Sequence, residues 1–256
     1  MKTIAVSGKG GTGKTTVAAL IVRWLKEQGI RSILAVDADS NVNLNDLLGV
    51  EVTETIGTIR EEMMKSIHNL PGGMTKLEFL EYKINSGLVE GPGFDLIAMG
   101  RPEGPGCYCY ANNLLRDILN TMSRHYTYIV IDNEAGMEHL SRRTTQNIDF
   151  MMIVSDPSKR SINAAGKIID LIKSLDIQVG ETSFILNRSQ DGKPETLDKL
   201  LEAEGIRKIA TLPEDEILGA MDRAGDTIWS IGIDSIAYEA LSLALTQLMN
   251  RGHHDI

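Results

Sequence analysis

The segment GKGGTGKTT, residues 8–16, combines closely spaced glycines with two lysines and three threonines. Gly8, Gly13, Lys14 and Thr15 satisfy the pattern G-x-x-x-x-G-K-[ST], which is typical of a phosphate-binding loop between a strand and a helix. The glycines allow successive backbone N–H groups to converge on phosphate oxygens, and the helix that follows adds the positive end of its dipole. Lys14 is expected to neutralise the β- and γ-phosphates, and the Thr15 hydroxyl is expected to bind Mg²⁺. The segment therefore predicts a loop that binds a nucleoside triphosphate.

Short apolar runs and helical patterns alternate along the rest of the chain. The runs lack the polar–apolar alternation of half-exposed strands, so they predict central strands of a parallel sheet covered on both faces. This alternation predicts a three-layer, doubly wound α/β fold with a mostly parallel sheet and helices on both faces. The strands are expected at 3–8, 32–37, 94–100, 128–132, 150–156 and 183–187, and the helices at 14–28, 111–124, 161–175, 194–204 and 235–250.

Residues 51–93 are the least regular part of the chain. Two short helical patterns flank LPGG at 70–73, and Thr75 and Glu78 have the spacing of a capping box at the start of the second pattern. We expect an irregular helical insertion that lies over one edge of the sheet. Because one sheet accounts for the whole length, residues 1–256 are predicted to form a single domain.

The composition is that of an acidic globular protein: 42% of the 256 residues are hydrophobic, and the net charge at pH 7 is −9. The negative charge disfavours non-specific binding to nucleic acid and to anionic membranes. No stretch approaches the roughly 20 apolar residues of a membrane span, and the opening MKTIAVSG leaves no room for a secretory signal. The two cysteines fit a reducing compartment, where paired thiols more often serve metal or redox chemistry than structure. A cytoplasmic location is therefore expected.

Two of the apolar runs end in carboxylates. VDADSN (36–41) places Asp37 and Asp39 on one face of an extended segment, and YIVID (128–132) ends in Asp132. Ligands bind beyond the carboxyl ends of the strands in such sheets, and Asp132 is expected to bind Mg²⁺ through water. An acid pair at a strand end is also compatible with capping of the next helix, but its place behind a phosphate loop favours nucleotide chemistry.

The phosphate loop resembles one particular form of this motif. The form K-G-G-x-G-K-[ST]-[ST] is similar to the deviant loop of the nitrogenase iron protein and septum-site ATPase superfamily. The resemblance implies that Lys9 reaches across a dimer to the nucleotide of the partner subunit, as the matching lysine does in that superfamily. It also implies that Asp39 orients the attacking water, that Asp37 helps to hold the magnesium shell, and that Lys14 and Asp132 take part in hydrolysis. The matching residues are Lys9, Gly10, Gly11, Gly13, Lys14, Thr15 and Thr16, with Gly8 and Thr12 completing the expected phosphate-binding set.

Two later segments resemble adenine contacts of the same superfamily. SFILNR (183–188) ends in Asn187 and Arg188, and the resemblance implies that the asparagine reads the adenine. TLPEDE (211–216) follows a short strand-like run and contains Pro213 and Glu214, which match a loop that contacts the purine. Taken alone both motifs are weak, and Asn187 would equally suit a turn.

GPGCYCYAN (104–112) contains the only two cysteines of the chain, Cys107 and Cys109. A metal–thiolate site normally has four ligands, so this pair supplies half of one. A two-fold dimer would bring the same pair from a second subunit and complete a four-thiolate site at the interface. Zinc prefers a tetrahedron and nickel(II) accepts a square plane, and the sequence does not choose between them. Two buried small hydrophobes or a disulfide between the two cysteines are the alternatives.

The C-x-C, together with IDNEAGMEHLSR (131–142), resembles the CooC family of accessory ATPases, which load nickel into carbon monoxide dehydrogenase, with related proteins serving acetyl-CoA synthase. The resemblance implies a homodimer that closes on ATP, assembles the metal site and hands the metal to a client nickel enzyme. The long histidine tracts of some nickel chaperones are absent, and the roles of His139, His253 and His254 stay open.

Other branches of the superfamily fit less well. The last helix lacks the Lys/Arg-rich face with which septum-site ATPases dock on membranes, so no membrane anchor is expected. The segment after Asp132 has no cysteine, unlike the second switch of the nitrogenase iron protein. A nucleotide-gated iron–sulfur electron donor or cluster scaffold, using the same four sulfurs, is the alternative function.

Overall fold

The computed structural model describes residues 1–66, 73–101, 122–134, 147–174, 178–190 and 195–251. Short 3₁₀ turns at Ser123–His125 and Ile228–Ser230 accompany the strands and helices. The strands are β1 (Lys2–Gly8), β2 (Ile33–Ala38), β3 (Val89–Gly91), β4 (Phe94–Ala98), β5 (Tyr128–Asn133), β6 (Asn147–Ser155), β7 (Gln178–Ser189) and β8 (Arg207–Pro213). The helices are α1 (Lys14–Glu27), α2 (Leu44–Leu48), α3 (Ile56–Ser66), α4 (Lys76–Gly87), α5 (Lys159–Ser174), α6 (Glu195–Glu204), α7 (Glu216–Ala224) and α8 (Ile236–Arg251).

The strands form one sheet in the order β3-β4-β2-β5-β1-β6-β7-β8. All neighbouring strands are parallel except β3 and β4, which form an antiparallel hairpin. The register pairs Asp37 of β2 with Asp132 of β5, and β1 lies on the other side of β5. The carboxyl ends of these three strands therefore meet at one edge, where β1 passes into the phosphate loop.

Helices cover both faces of the sheet, which confirms the predicted three-layer α/β fold. On one face α1, α2, α7 and α8 pack in a single apolar cluster that includes Ile4 and Val6 of β1. On the other face α3, α5 and α6 pack in a second cluster that includes Ala5. Because successive residues of a strand face opposite layers, every central strand needs apolar side chains throughout, which explains the continuous apolar runs.

Helix α3 lies against the β2–β4 part of the sheet, and α4 contacts α3. Ile56 and Ile59 of α3 are buried in the same cluster as Val36 and Ile97. The predicted capping box begins α4: the Thr75 hydroxyl accepts a hydrogen bond from the Glu78 backbone N–H, and the Glu78 carboxylate accepts one from the Thr75 backbone N–H.

The predicted strands are all present, although β7 is longer than expected because its first residues, 178–182, are half-exposed and have no apolar run. Four predicted helices are confirmed as α1, α5, α6 and α8. The predicted helix at 111–124 lies largely outside the described residues and stays a prediction.

Among the described residues, three elements were not predicted: β3, α2 and α7. Strand β8 forms at the short strand-like run that leads into TLPEDE (211–216). Strand β3 pairs with β4 across Pro92 and Gly93, and the positive φ of Gly93 (92°) allows the tight turn. Helix α2 has only five residues, which is too short for a helical period to show in the sequence.

Helix α8 and the turn before it are bound to the rest of the protein by buried polar contacts. The Arg23 guanidinium of α1 donates to the carbonyls of Ile228 and Ile231, at 2.8 and 2.9 Å, and lies over the Tyr238 ring. The Trp229 indole donates to the Leu48 carbonyl at 2.8 Å. Within the described ranges, no helix is both long and apolar enough to cross a membrane.

Candidate functional site

The phosphate loop connects β1 to α1 and has the backbone that the glycines predict. Gly11 and Gly13 have φ values of 81° and 90°, in the left-handed region that other residues rarely adopt. No side chain caps the start of α1 after Gly13, so the first N–H groups of the helix are left for another acceptor. A Cβ at Gly13 would lie 2.4 Å from the Asn187 amide nitrogen. The loop is thus shaped to receive an anion at the start of α1.

Thr12 and Lys14 both donate to one carbonyl of the loop. The Lys9 carbonyl accepts from the Thr12 hydroxyl at 2.8 Å and from the Lys14 ammonium at 3.4 Å. Both donors are largely buried, since Thr12 is 0% and Lys14 is 8% exposed. The weak contact of Lys14 leaves its charge available to a phosphate.

Asp132 lies at the centre of the predicted hydrolysis residues. Burial raises its pKa to about 7; a hydrogen bond with Thr15 and the charge of Lys14 act to lower it, while the charges of Asp37 and Asp39 act to raise it. These influences show that the structure brings five predicted site residues together at the edge of β1, β2 and β5. One carboxylate oxygen, Oδ1, is buried and has no hydrogen-bond partner among the described residues.

Asp37 is fully buried and also shapes the backbone. Its Oδ2 accepts from the N–H groups of Asn43 and Leu44, both at 2.9 Å, and its Oδ1 accepts from the Asp39 N–H at 3.1 Å. Burial raises the pKa of Asp37, while these backbone hydrogen bonds oppose the rise. The structure therefore shows for Asp37 the helix-capping contacts that the sequence left as an alternative.

Asp39 is the more accessible member of the pair. Its carboxylate accepts from the Asn41 N–H at 2.8 Å. The Ser40 hydroxyl lies 3.4 Å from both the Asp39 and the Glu134 carboxylates, and so connects the segment after β2 to the segment after β5. Glu134 is the last described residue before 135–146, so most of IDNEAGMEHLSR (131–142), including His139, lies outside the described residues.

Asn187 and Arg188, at the end of β7, contact the phosphate loop directly. The Asn187 amide donates to the Thr12 carbonyl at 2.8 Å, and the Arg188 guanidinium donates to the Gly11 carbonyl at 3.1 Å. Arg188 has a positive φ of 52°, a conformation that is rare for a residue with a side chain. The sequence did not predict these contacts, which position the loop.

A cavity of about 250 Å³ lies beside the phosphate loop. The four residues predicted to contact adenine line it together with Thr16 of α1. Its far wall is the first two turns of α7, including Leu218 and Asp222. The four predicted adenine contacts are Asn187, Arg188, Pro213 and Glu214. The structure thus brings residues of two separate segments together in one concave site next to the loop.

Lys9 is exposed on the loop, and its charge acts on Asp156, the residue that follows β6. Burial acts to raise the pKa of Asp156, but hydrogen bonds from Ser158 and Ser161 and the charge of Lys9 lower it. Lys9 therefore lies near the carboxyl end of β6.

Cys107 and Cys109 lie outside the described residues, as do His253 and His254. Within the part of the chain that the structure does describe, no group of three or more His, Cys, Asp or Glu side chains could hold a metal ion.

Asp132→Asn is expected to remove a pH dependence of stability in the absence of magnesium and nucleotide. A carboxyl that titrates near pH 7 when folded and about 3.9 when unfolded binds its proton more tightly in the folded state. The free energy of unfolding therefore falls as the pH rises from about 4 to about 7, by up to about 4 kcal/mol. Denaturant unfolding at pH 5 and pH 8 measures this, and the asparagine variant should gain stability relative to wild type only at pH 8. Asp198→Asn, an exposed change on α6, is the matched control, and the same pH dependence in wild type and D132N would refute the assignment.

The AAA domain family model matches residues 1–184. An uncharacterized ATP-binding protein of Methanocaldococcus jannaschii is 41% identical over 250 residues, covering 97% of this chain and 98% of that protein. The carbon monoxide dehydrogenase accessory protein CooC of Rhodospirillum rubrum is 29% identical over 234 residues, or 87% of each chain. The septum site-determining protein MinD of Pyrococcus horikoshii, solved with Mg-ADP, has a TM-score of 0.68 at 22% identity and covers 98% of this chain and 97% of its own.

Proposed function

This chain belongs to the AAA domain family and is a P-loop ATPase of the superfamily that includes MinD, and from that premise we propose that it loads metal into a nickel enzyme. The client would be carbon monoxide dehydrogenase or acetyl-CoA synthase. The observation that carries the proposal is the pair Cys107 and Cys109, the only cysteines of the chain, spaced to offer two thiolates to one metal ion. The similarity to the CooC accessory protein over 87% of each chain supports it.

ATP would bind with its phosphates on the loop of residues 8–16 and its base in the cavity of Asn187, Arg188, Pro213 and Glu214. The loop offers unpaired N–H groups and Lys14, and the cavity offers a concave surface beside them. The same arrangement suits Mg-ADP, the ligand of the MinD structure.

The acidic edge fits a magnesium ion, because the buried Oδ1 of Asp132 lacks a hydrogen-bond partner among the described residues. Thr15, Asp132 and the shell residue Asp37 would hold the ion, the acids in part through water. Magnesium, when bound, supplies positive charge to the β- and γ-phosphates.

Hydrolysis would use the side chains gathered around Asp132. Lys14 stabilises the charge that develops on the γ-phosphoryl oxygens, and Asp39 orients the water whose oxygen forms the new bond to the γ-phosphorus. The bond between that phosphorus and the oxygen of ADP breaks; of the two protons of the water, one leaves with the phosphate and the other is released to solvent. Asp39 is half-exposed at the open side of the site, where a water can reach it.

Two protomers would close on two ATP molecules, with Lys9 of each reaching the nucleotide of the other. Lys9 is exposed, so it is free of packing that would prevent this movement. Closure brings the two C-x-C segments together in a four-thiolate site for nickel or zinc, and hydrolysis reopens the dimer and releases the metal as the transferred substrate.

Linkage gives a direct test of this coupling. If a nucleotide tightens metal binding, then metal must tighten nucleotide binding or dimerisation by the same factor. We expect Ni²⁺ or Zn²⁺ to bind about 5- to 150-fold more tightly with a non-hydrolysable ATP analogue than without nucleotide. Competition against a chromophoric chelator measures both affinities, and equal values would eliminate the coupling.

A further inference from the structure

Asp215 joins the N-termini of two helices through one carboxylate. Its Oδ1 accepts from the N–H groups of Ile217 and Leu218, at 2.8 and 3.3 Å, and so caps α7. Its Oδ2 accepts from the Ser235 hydroxyl at 2.7 Å and from the Ala237 N–H at 3.0 Å, at the start of α8. All four donors therefore converge on a side chain that is only 9% exposed.

Ser235 completes this connection from the side of α8. Its hydroxyl donates to Asp215 and accepts from the Tyr238 N–H at 3.2 Å, so it also caps α8. Ser235 is 1% exposed. Burial acts to raise the pKa of Asp215, but hydrogen bonds from Ala237, Ser235, Leu218 and Ile217 lower it. The lowered pKa is expected for an ionised carboxylate in this position.

The carboxylate lies in the wall of the candidate base cavity. Asp215 directly follows Pro213 and Glu214, and the residues it caps begin the helix that forms the far wall through Leu218 and Asp222. The position of that wall relative to α1 depends on α8, which packs with α1 and is tied to it through Arg23 and Tyr238. Asp215 thus makes a direct polar contact between the cavity wall and the helix that holds it.

We infer that Asp215 and Ser235 are positioning residues for nucleotide binding, which set the width of the base cavity by fixing α7 against α8. The inference rests on the proposed function, because it assumes that the cavity receives the base of ATP. It predicts that breaking this contact weakens binding of the base and leaves binding of the phosphates unchanged.

Asp215→Asn retains the cap of α7 and breaks the contact with α8. The asparagine oxygen caps α7 about as well as aspartate, but its NH₂ group then faces the Ala237 N–H and cannot accept from it. Ser235→Ala removes the hydroxyl from the same contact, while Ser235→Thr retains a hydroxyl. Asp234→Asn, which changes an exposed neighbouring charge, and Ser230→Ala, which removes an exposed hydroxyl that bonds to Thr227, are matched controls.

Calorimetric titration with Mg-ATP and with inorganic Mg-tripolyphosphate provides the measurement, because tripolyphosphate occupies the phosphate loop without a base. We expect ATP to bind about tenfold more weakly to D215N and about threefold more weakly to S235A, which is the scale of one lost hydrogen bond. The affinity for tripolyphosphate should be unchanged. In D215N and S235A the KM for ATP should rise with kcat unchanged. S235T, D234N and S230A should match wild type.

Two results would overturn the inference: unchanged ATP affinity in both variants, or parallel losses for ATP and tripolyphosphate, which would mean that the contact supports the fold as a whole. Since S235A is the milder change, it keeps the test decisive if D215N does not fold. Wild-type protein that binds neither probe would instead contradict the proposed function, and this inference with it.

Discussion

Replacing Lys14 by alanine is expected to lower kcat for ATP hydrolysis by about 10²- to 10³-fold, the usual cost of losing one preorganised group that stabilises transition-state charge. Lys14 is 8% exposed at the start of α1 and makes only a long hydrogen bond to the Lys9 carbonyl in the resting loop. Among the described residues, therefore, no short hydrogen bond holds the ammonium away from a γ-phosphate. Phosphate release under saturating Mg-ATP measures the effect.

Two further variants control the Lys14 experiment. Lys14→Gln keeps most of the length of the side chain without its charge, so it should show the same loss if charge is what matters. Lys167→Ala removes an exposed lysine from α5 and should leave turnover unchanged. Wild-type turnover in K14A, with circular dichroism showing a folded protein, would contradict the assignment of the phosphate loop.

Replacing Cys107 and Cys109 together by alanine is expected to abolish stoichiometric binding of metal to the dimer. The dimer would lose all four thiolate ligands, because the chain contains no other cysteine. The described residues also contain no group of three or more His, Cys, Asp or Glu side chains that could hold a metal ion. Basal binding of Mg-ATP should survive, because the phosphate loop and the base cavity are built by other segments, around β1, β7 and β8. Equilibrium dialysis with Ni²⁺ and Zn²⁺ measures the first effect, and calorimetry with Mg-ATP measures the second. A double variant that keeps metal in wild-type proportion would refute the site.

The local motifs predicted much of the fold and of the nucleotide site. The run of apolar residues before Gly8 and the glycines after it define a strand, a loop and a helix within about 15 residues, so the sequence determines that geometry locally. Asp37 and Asp132 could be placed at one edge because the carboxyl ends of parallel strands meet there. The capping box of Thr75 and Glu78 depends on two residues three positions apart, and it was found for the same reason.

The contacts that the sequence did not predict join distant segments. The Asn187 amide reaches the Thr12 carbonyl from 175 positions away, and no local pattern encodes that distance. Asp215 stood in a recognised segment, and an aspartate just before a helical pattern is a signal for an N-cap. Its second role, toward Ser235, depends on how α7 and α8 pack, and this became visible only in the folded chain.

The metal content of anaerobically purified protein tests the central claim most directly. We expect about one nickel or zinc ion per dimer, and no iron or sulfide, in the presence of a non-hydrolysable ATP analogue, as four thiolates of two subunits require. The C107A/C109A variant, treated in the same way, should contain none. A brown protein that contains iron and sulfide would favour the iron–sulfur alternative. Wild-type protein with no bound metal in either nucleotide state would contradict the account.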